Sequence, residues 1–452
     1  MVKKTIFLLL SCIIMINFTG CAGIFDTPVS LMSPPKGSGD LVEIEEILES
    51  SHSGFEFSYP YGGEYRNAVM IKDFDNDGSR EAIAFYQTTE NKNITIHLCV
   101  IDNENGAWKV KFDSALSGIG IDRVELADIC SDDSKEILIG CKLNNTNEQE
   151  LNVYKIYNEG LQLLTQERYT DFCVCDLGAS KKPQIAVFKL SSQSTVSSQE
   201  TNNSLLKNTA TAKLISFSYQ KDSIPFALGS VNFDTNVVSF SKIAVSPISD
   251  KQNGVFVDAS VGDNAMITEV FYYDQTIKTL FYDKRSNSTK FTERQSLIES
   301  RDINSDNKIE IPKSYLCNGY SEEQEYDERA YFTEWYSVEN KSLSKRVASG
   351  FLNVNDNYFI KTSESWLGNV TVKKDFDLRE QIFCEWDFTN KTFGNEIFRI
   401  RVFIKSDFSQ KGNGFTKIAS DNECVYAVKI NKDYNGKCKV SVDDIKNQII
   451  LL

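Results

Sequence analysis

A nine-residue segment near the amino terminus has the ligand spacing of a calcium loop. Carboxylates occupy its positions 1, 3, 5 and 9, and glycine occupies position 6: Asp73, Asp75, Asp77, Glu81 and Gly78. Ca²⁺ takes about six to eight oxygen ligands, and a main-chain carbonyl near position 7 contributes one in such loops. A solvated turn without metal is the alternative, since Asp and Asn also favour turns for backbone reasons.

The same spacing returns at residues 302–310. Oxygen-bearing side chains again occupy positions 1, 3, 5 and 9: Asp302, Asn304, Asp306 and Glu310. Asn307 replaces the glycine at position 6, and asparagine tolerates positive φ better than most residues. We therefore predict two structural Ca²⁺ sites, each of which links the strands that flank its loop.

Three weaker copies of the pattern lie between these two loops. Their leading aspartates are Asp128, Asp176 and Asp258. The second copy keeps Asp132 and Glu136 but has Cys130 at position 3. In the third copy, Lys181 and Lys182 lie where a cation would be repelled. Strand–loop–strand units with a period of about 45–50 residues are typical of a propeller or a β-solenoid.

These units resemble the FG-GAP/VCBS repeat, whose motif D-x-[DN]-x-D-G-x-x-[DE] precedes an apolar strand. Residues 73–85 match that motif fully, and the resemblance extends over residues 55–320. It implies a β-propeller of about six or seven blades with calcium loops between adjacent strands. An EF-hand does not fit, because it needs a bidentate Glu at position 12, where this chain has Ala84.

The repeats stop after Tyr331, although alternating apolar segments continue. We predict a mainly β fold, with the propeller over residues 41–340 and a small α+β domain over residues 345–452. Residues 364–370 resemble the Mog1/PsbP-like domain, but no functional residue is carried over from that family.

The amino terminus has the three parts of a secretory signal. Lys3 and Lys4 precede an apolar core that is too short to span a bilayer, and Cys21 follows Thr-Gly. This ending resembles the lipobox of bacterial lipoproteins, although Phe18 replaces the usual leucine. We predict a signal peptide over residues 1–20, lipidation at Cys21 and a tether over residues 21–40. An ordinary cleaved signal with an incidental cysteine is the alternative.

Composition excludes several other classes. The net charge is −14 and no basic run occurs, so no nucleic-acid partner is expected. Nine cysteines remain outside the signal peptide and Cys21, and we predict mostly free, buried thiols. His52 and His97 are the only histidines; His97 is interpreted as structural within a strand, and His52 as a loop residue. No nucleophile elbow, zinc-protease motif or phosphate-binding loop occurs.

The predicted function is therefore that of a non-enzymatic binding module. A lipid anchor would hold it at the extracytoplasmic face of the bacterial cell membrane, where it would bind a protein or a carbohydrate. The alternative is a carbohydrate-active enzyme, a glycosidase or lyase on a propeller scaffold. Converging carboxylates with perturbed pKa values in a cleft outside the calcium loops would distinguish it. An accessory role in envelope assembly is a third possibility.

Overall fold

The structure is a computed structural model. It describes residues 39–452 except 53, 91–92, 105, 145–147, 158–159, 179–182, 194–206, 219–222 and 281–289. The predicted signal peptide, Cys21 and the tether up to residue 38 lie outside the described residues. In the part of the chain that is described, no helix has the length and apolar character needed to cross a membrane.

Helices are few. The α-helices are α1 (Asp40–Ser51), α2 (Phe408–Lys411) and α3 (Val442–Gln448). Short 3₁₀ turns cover Lys290–Thr292, Tyr326–Glu328 and Glu364–Trp366. The remaining regular structure is β-strand, which confirms the prediction of a mainly β protein.

The strands of the described residues form six antiparallel sheets, and the first four follow one another along the chain. The first sheet contains β1 (Glu56–Phe57), β2 (Val69–Lys72), β3 (Glu81–Glu90), β4 (Asn93–Glu104) and β5 (Ala107–Leu116). The second contains β6 (Gly120–Ala127), β7 (Glu136–Lys142), β8 (Gln149–Tyr157) and β9 (Gly160–Tyr169). The third contains β10 (Asp171–Cys175), β11 (Gln184–Gln193), β12 (Lys207–Phe217) and β13 (Pro225–Asn232). The fourth contains β14 (Ser239–Ser249), β15 (Gln252–Gly262), β16 (Ala265–Asp274) and β17 (Thr276–Thr279).

The last two sheets share the carboxyl-terminal third of the chain. The fifth contains β18 (Ile311–Leu316), β19 (Tyr331–Glu339), β20 (Ser342–Asn353), β21 (Tyr358–Lys361) and the last strand, β27 (Ile449–Leu451). The sixth contains β22 (Val370–Asp375), β23 (Glu380–Asp387), β24 (Thr392–Ile404), β25 (Thr416–Ser420) and β26 (Cys424–Ile430). The predicted boundary at residue 345 falls inside β20, and the carboxyl terminus returns to a sheet that starts at Ile311.

Strands β3, β7 and β11 are apolar on both faces because their sheets pack between two neighbouring elements. In β7, Ile137 and Ile139 pack against the first sheet, whereas Leu138 packs against the third. Successive side chains of a strand point to opposite faces, so a sheet covered on both sides produces a continuous apolar run. Such clusters join each sheet to the next, from the first to the sixth.

The free face of the first sheet is covered by α1. Ile44 and Leu48 of the helix are fully buried there, beside Tyr86 and Trp108. Among the described residues, no hydrophobic cluster joins the sixth sheet to the first. The packing thus shows a row of six sheets with a helix at one end, and it does not show a closed propeller of six or seven blades.

Candidate metal centre

Four of the five predicted loops share one construction. They lie between β2 and β3, between β6 and β7, between β10 and β11, and directly before β18. Position 2 of each is an apolar residue at most 2% exposed: Phe74, Ile129, Leu177 and Ile303. The side chain at position 9 accepts a hydrogen bond from that residue's N–H over 2.8–3.0 Å: Glu81, Glu136, Gln184 and Glu310. This bond closes the loop without a metal, and Gln184 can make it as well as a glutamate.

The leading aspartate provides a second closure. Asp73 Oδ2 accepts a hydrogen bond from the N–H of Gly78 at 3.1 Å. Asp302 accepts the N–H of Asp306 at 3.1 Å and that of Asn307 at 2.7 Å. Position 6 is left-handed in both loops, with φ of 92° at Gly78 and 64° at Asn307. Asparagine therefore takes the conformation expected of it at this position.

In the first loop, the four predicted ligands converge. One oxygen from each of Asp73, Asp75, Asp77 and Glu81 lies within 4.8 Å of the others. Within the described part of the chain, no other group of three or more acidic, histidine or cysteine side chains converges in this way. Four carboxylates at this separation repel one another unless a cation lies among them, and an all-oxygen set suits Ca²⁺.

The surroundings increase that repulsion. Burial, together with the neighbouring aspartates, raises the pKa of Glu81 to about 7, and burial and Asp77 raise the pKa of Asp75. Three of the ligands line a cavity of about 230 Å³ that also includes Tyr157 of the second sheet. A cation here would therefore lie at the junction of the first two sheets.

The second loop has its own cation. Lys155, on β8, forms an ion pair with Asp132, and its Nζ lies 3.5 Å from Glu136 Oε1. Burial opposes the charge, but the hydrogen bond with Asp132 and the attraction of Glu136 raise the pKa of Lys155. An ammonium group thus neutralises the loop in which Cys130 has replaced a carboxylate.

The fifth loop, residues 302–310, has a different interior. The amide Nδ2 of Asn304 donates to Asp306 Oδ2 and to Glu310 Oε1, each at 3.3 Å. Burial raises the pKa of Glu310 to about 7. To bind a cation, the amide would have to rotate so that its oxygen faced the carboxylates. The third loop keeps Asp176, and the predicted role of Lys181 and Lys182 lies outside the described residues.

The predicted fourth copy is wrong. Asp258 lies within β15 and pairs with Thr268 of β16, and the turn between these strands follows Gly262. Its carboxylate is buried and forms an ion pair with the buried guanidinium of Arg294 at 3.1 Å. An isolated aspartate after three apolar residues fits a buried ion pair as well as a loop, and the sequence offered no means of choosing.

The two histidines lie beside the same carboxylate, that of Asp113, and the sequence analysis did not predict this cluster. His52 Nε2 lies 3.0 Å from Asp113 Oδ2, and His97 Nδ1 lies 3.3 Å from Asp113 Oδ1. Tyr86 donates to the same carboxylate and stacks on His97 with ring centroids 4.6 Å apart. Because His52 directly follows α1, this cluster attaches the end of the helix to the first sheet. Its members are far apart in the sequence, and no local signal connects them.

Comparison with known proteins adds little to this geometry. No family model and no curated protein matches the chain. Among solved structures, a rhamnogalacturonan lyase from Bacillus licheniformis has 10% identity and a TM-score of 0.30, with 82% of this chain and 91% of that one covered. The exotype rhamnogalacturonan lyase YesX has 10% identity and a TM-score of 0.31, with 83% and 90% covered. Sqt1 from Chaetomium thermophilum has 8% identity and a TM-score of 0.31, with 76% and 74% covered. Likeness at this level carries no argument about fold or function.

Proposed function

We propose that this chain is a lipid-anchored extracytoplasmic protein that acts as a non-enzymatic binding module stabilised by Ca²⁺. The convergence of Asp73, Asp75, Asp77 and Glu81 supports the calcium site, whereas the lipid anchor and the binding role rest on the sequence. Extracellular calcium concentrations fill even weak sites with Kd of about 10⁻⁴ to 10⁻³ M. Such a site would have a structural role at the junction of two sheets, and the sheets would be the blades of a propeller-type array.

The second loop supports the same assignment by contrast. Where the carboxylate at position 3 is missing, Lys155 brings a fixed positive charge to Asp132 and Glu136. In the first loop, the nearby Lys111 pairs instead with Asp102 at 3.3 Å and Glu104 at 2.6 Å. The first loop therefore keeps four ligands and receives its counter-charge from an ion.

Thermal unfolding in millimolar calcium and in EGTA tests the proposal. An ion that binds only the folded form stabilises it by RT ln(1 + [L]/Kd), which is about 1–3 kcal/mol for Kd between 10⁻⁵ and 10⁻⁴ M. We expect calcium to raise Tm by a few degrees in the natural protein and not in Asp73→Ala/Asp75→Ala. The matched control is Asp128→Ala/Asp132→Ala in the second loop, which should keep the calcium response. If the natural protein had the same Tm in calcium and in EGTA, the proposal of metal sites would be wrong.

The fifth loop is proposed as a second, weaker calcium site. Its ligands would be Asp302, Asn304, Asp306 and Glu310, and rotation of the Asn304 amide would accompany binding. Calorimetric titration should give two calcium ions per chain, and one in Asp73→Ala/Asp75→Ala. One ion in the natural protein, lost in that variant, would restrict calcium to the first loop.

A further inference from the structure

Three turns from the last two sheets border a pair of adjoining cavities that are open to solvent. The turns join β20 to β21, β22 to β23, and β25 to β26. The cavities have volumes of about 330 and 410 Å³ and share Asn355, Asp356 and Arg379. We call this pair the Arg379 cleft. Its volumes lie at the small end of the range of about 300–1,000 Å³ that is typical of ligand pockets.

Hydrogen bonds hold the polar groups of the cleft in place. Asp356 Oδ1 accepts from Arg379 Nε at 2.8 Å and Nη2 at 2.7 Å, while Asp356 Oδ2 accepts from Asn353 at 3.0 Å. Tyr426 donates to the main-chain carbonyl of Asp356 at 3.1 Å and to Asp421 Oδ2 at 2.9 Å. Arg379 has a φ of 49°, which is a strained value for a residue other than glycine. The cleft is therefore preorganised before any ligand enters.

Acidic side chains outnumber basic ones in the lining of the cleft, and two of the acidic side chains form ion pairs. Glu380 is paired with Arg399 at 2.8 Å and Arg401 at 2.7 Å. Lys374 donates to main-chain carbonyls, and burial lowers its pKa. Asp356 pairs with Arg379. The Nη1 group of Arg379 has a weak contact with Cys424 Sγ at 3.8 Å and can still donate a hydrogen bond to a ligand. The remaining carboxylates, Asp375, Asp421 and Glu423, disfavour an anion and can accept hydrogen bonds from the hydroxyl groups of a neutral ligand.

Exposed apolar side chains border this polar surface. Phe376 lines the first cavity with 52% of its surface exposed, and Val354 and Leu378, at 52% and 46%, lie next to lining residues in the chain. A sugar ring has one apolar C–H face and a rim of hydroxyls. It can pack on an aromatic ring while its hydroxyls bond to planar amide, carboxylate and guanidinium groups. A stable protein interface needs about 1,000 Å² or more of total buried area, so two small polar cavities fit a small ligand better.

We propose that the Arg379 cleft binds a neutral oligosaccharide. One sugar residue packs on Phe376 in the first cavity, and the chain continues past Arg379 into the second. Arg379 Nη1 and the exposed amide of Asn355 donate to ring hydroxyls on each side of the ion pair. The inference rests on the proposed role as a binding module and names the class of its ligand.

Calorimetric titration of the full-length chain in detergent tests the inference. The probes are four neutral tetrasaccharides, of β-1,4-linked glucose, mannose, galactose and xylose, and the anionic tetragalacturonate. We expect a neutral tetrasaccharide to bind, and Phe376→Ala to weaken its binding about tenfold through loss of the aromatic contact. Asn355→Ala should also weaken it. The matched control is Phe388→Ala, another exposed phenylalanine at the opposite end of the sixth sheet, which should leave binding unchanged.

Three results would overturn the inference. They are no binding of any neutral tetrasaccharide, equal binding by Phe376→Ala and the natural protein, and preference for the anionic probe. Whichever of these results is obtained, a calcium-dependent Tm of the same samples would show that the proposed metal site is still supported. Chromatography of the incubated sugars tests whether the protein cleaves them. Cleavage would contradict the proposed non-enzymatic role, but the cleft would still be a ligand site.

Discussion

Lys155 Nζ lies 3.5 Å from Glu136 Oε1, in a loop whose relative between β2 and β3 offers four carboxylates to a cation. Lys155 is 7% exposed and Glu136 is fully buried, so the two charges depend on each other and on Asp132. In the second loop, a lysine side chain thus supplies the positive charge that a bound cation would supply in the first loop. The comparison between the two loops makes the role of charge in each of them testable.

We expect Lys155→Met to lower the free energy of unfolding by about 3–5 kcal/mol. The change leaves the buried Glu136 without its partner, and breaking a buried pair from one side costs about that much. The midpoint of urea unfolding measures it. Lys213→Met is the control, since Lys213 is 40% exposed in its pair with Glu167 and should cost less than about 1 kcal/mol. Equal costs for the two variants would show that Lys155 is not the counter-ion of the loop.

A pair of substitutions at position 9 separates loop closure from metal binding. Gln184 already makes the closing hydrogen bond with an amide oxygen at 3.0 Å. We therefore expect Glu81→Gln to keep the Tm that the natural protein has in EGTA and to lose most of the calcium response. Glu81→Ala should lose the response and also about 1–3 kcal/mol of stability, because the N–H of Phe74 would be left buried without an acceptor.

The position-9 prediction fails if Glu81→Gln responds to calcium as strongly as the natural protein does. In that case, the carboxylate would serve loop closure alone, and the ligand set would reduce to Asp73, Asp75 and Asp77. The result would also show that position 9 is retained among the loops for folding, as at Gln184.

Local patterns predicted the loops well, because every feature they need lies within nine residues. The left-handed position of Asn307 and the loop construction at Glu136 follow directly from spacing. The ion pair of Lys155 does not, because its partner lies 23 residues away on another strand. The pairing of β27 with β21 in the fifth sheet could not be predicted from the sequence either, since strands some ninety residues apart share no local sequence pattern.

At Asp258 a local pattern was present but gave a wrong prediction. The tertiary environment determined the role of this aspartate. The carboxylate accepts hydrogen bonds from Ser300 N at 2.7 Å and Ser300 Oγ at 2.8 Å, and it pairs with Arg294. This network attaches the segment before the fifth sheet to the face of the fourth. An apolar run followed by Asp is common to both environments, so only the fold distinguishes them.

We expect Arg294→Met to be strongly destabilising, by about 3–5 kcal/mol, because it leaves Asp258 charged and buried without its ion partner. The double variant Asp258→Leu/Arg294→Met should be more stable than this single variant, since it removes the buried carboxylate together with the guanidinium that pairs with it. Urea unfolding compares them. Lys411→Met, which breaks an exposed ion pair with Asp407, should cost less than about 1 kcal/mol. A double variant no more stable than Arg294→Met would show that the ion pair is not the main contribution of these residues.

Lipidation at Cys21 makes its own prediction for the cell envelope. Cys21→Ser should abolish incorporation of radiolabelled palmitate and move the protein from the detergent phase to the aqueous phase in phase partition. The reason is that the acyl chains proposed on Cys21 would bind the protein to the membrane through their buried methylene groups. Cys12→Ser is the matched control, because Cys12 lies within the predicted signal peptide and should leave both measurements unchanged. Retention of label and of detergent partition in Cys21→Ser would refute lipidation at this residue and favour an ordinary cleaved signal or another anchor.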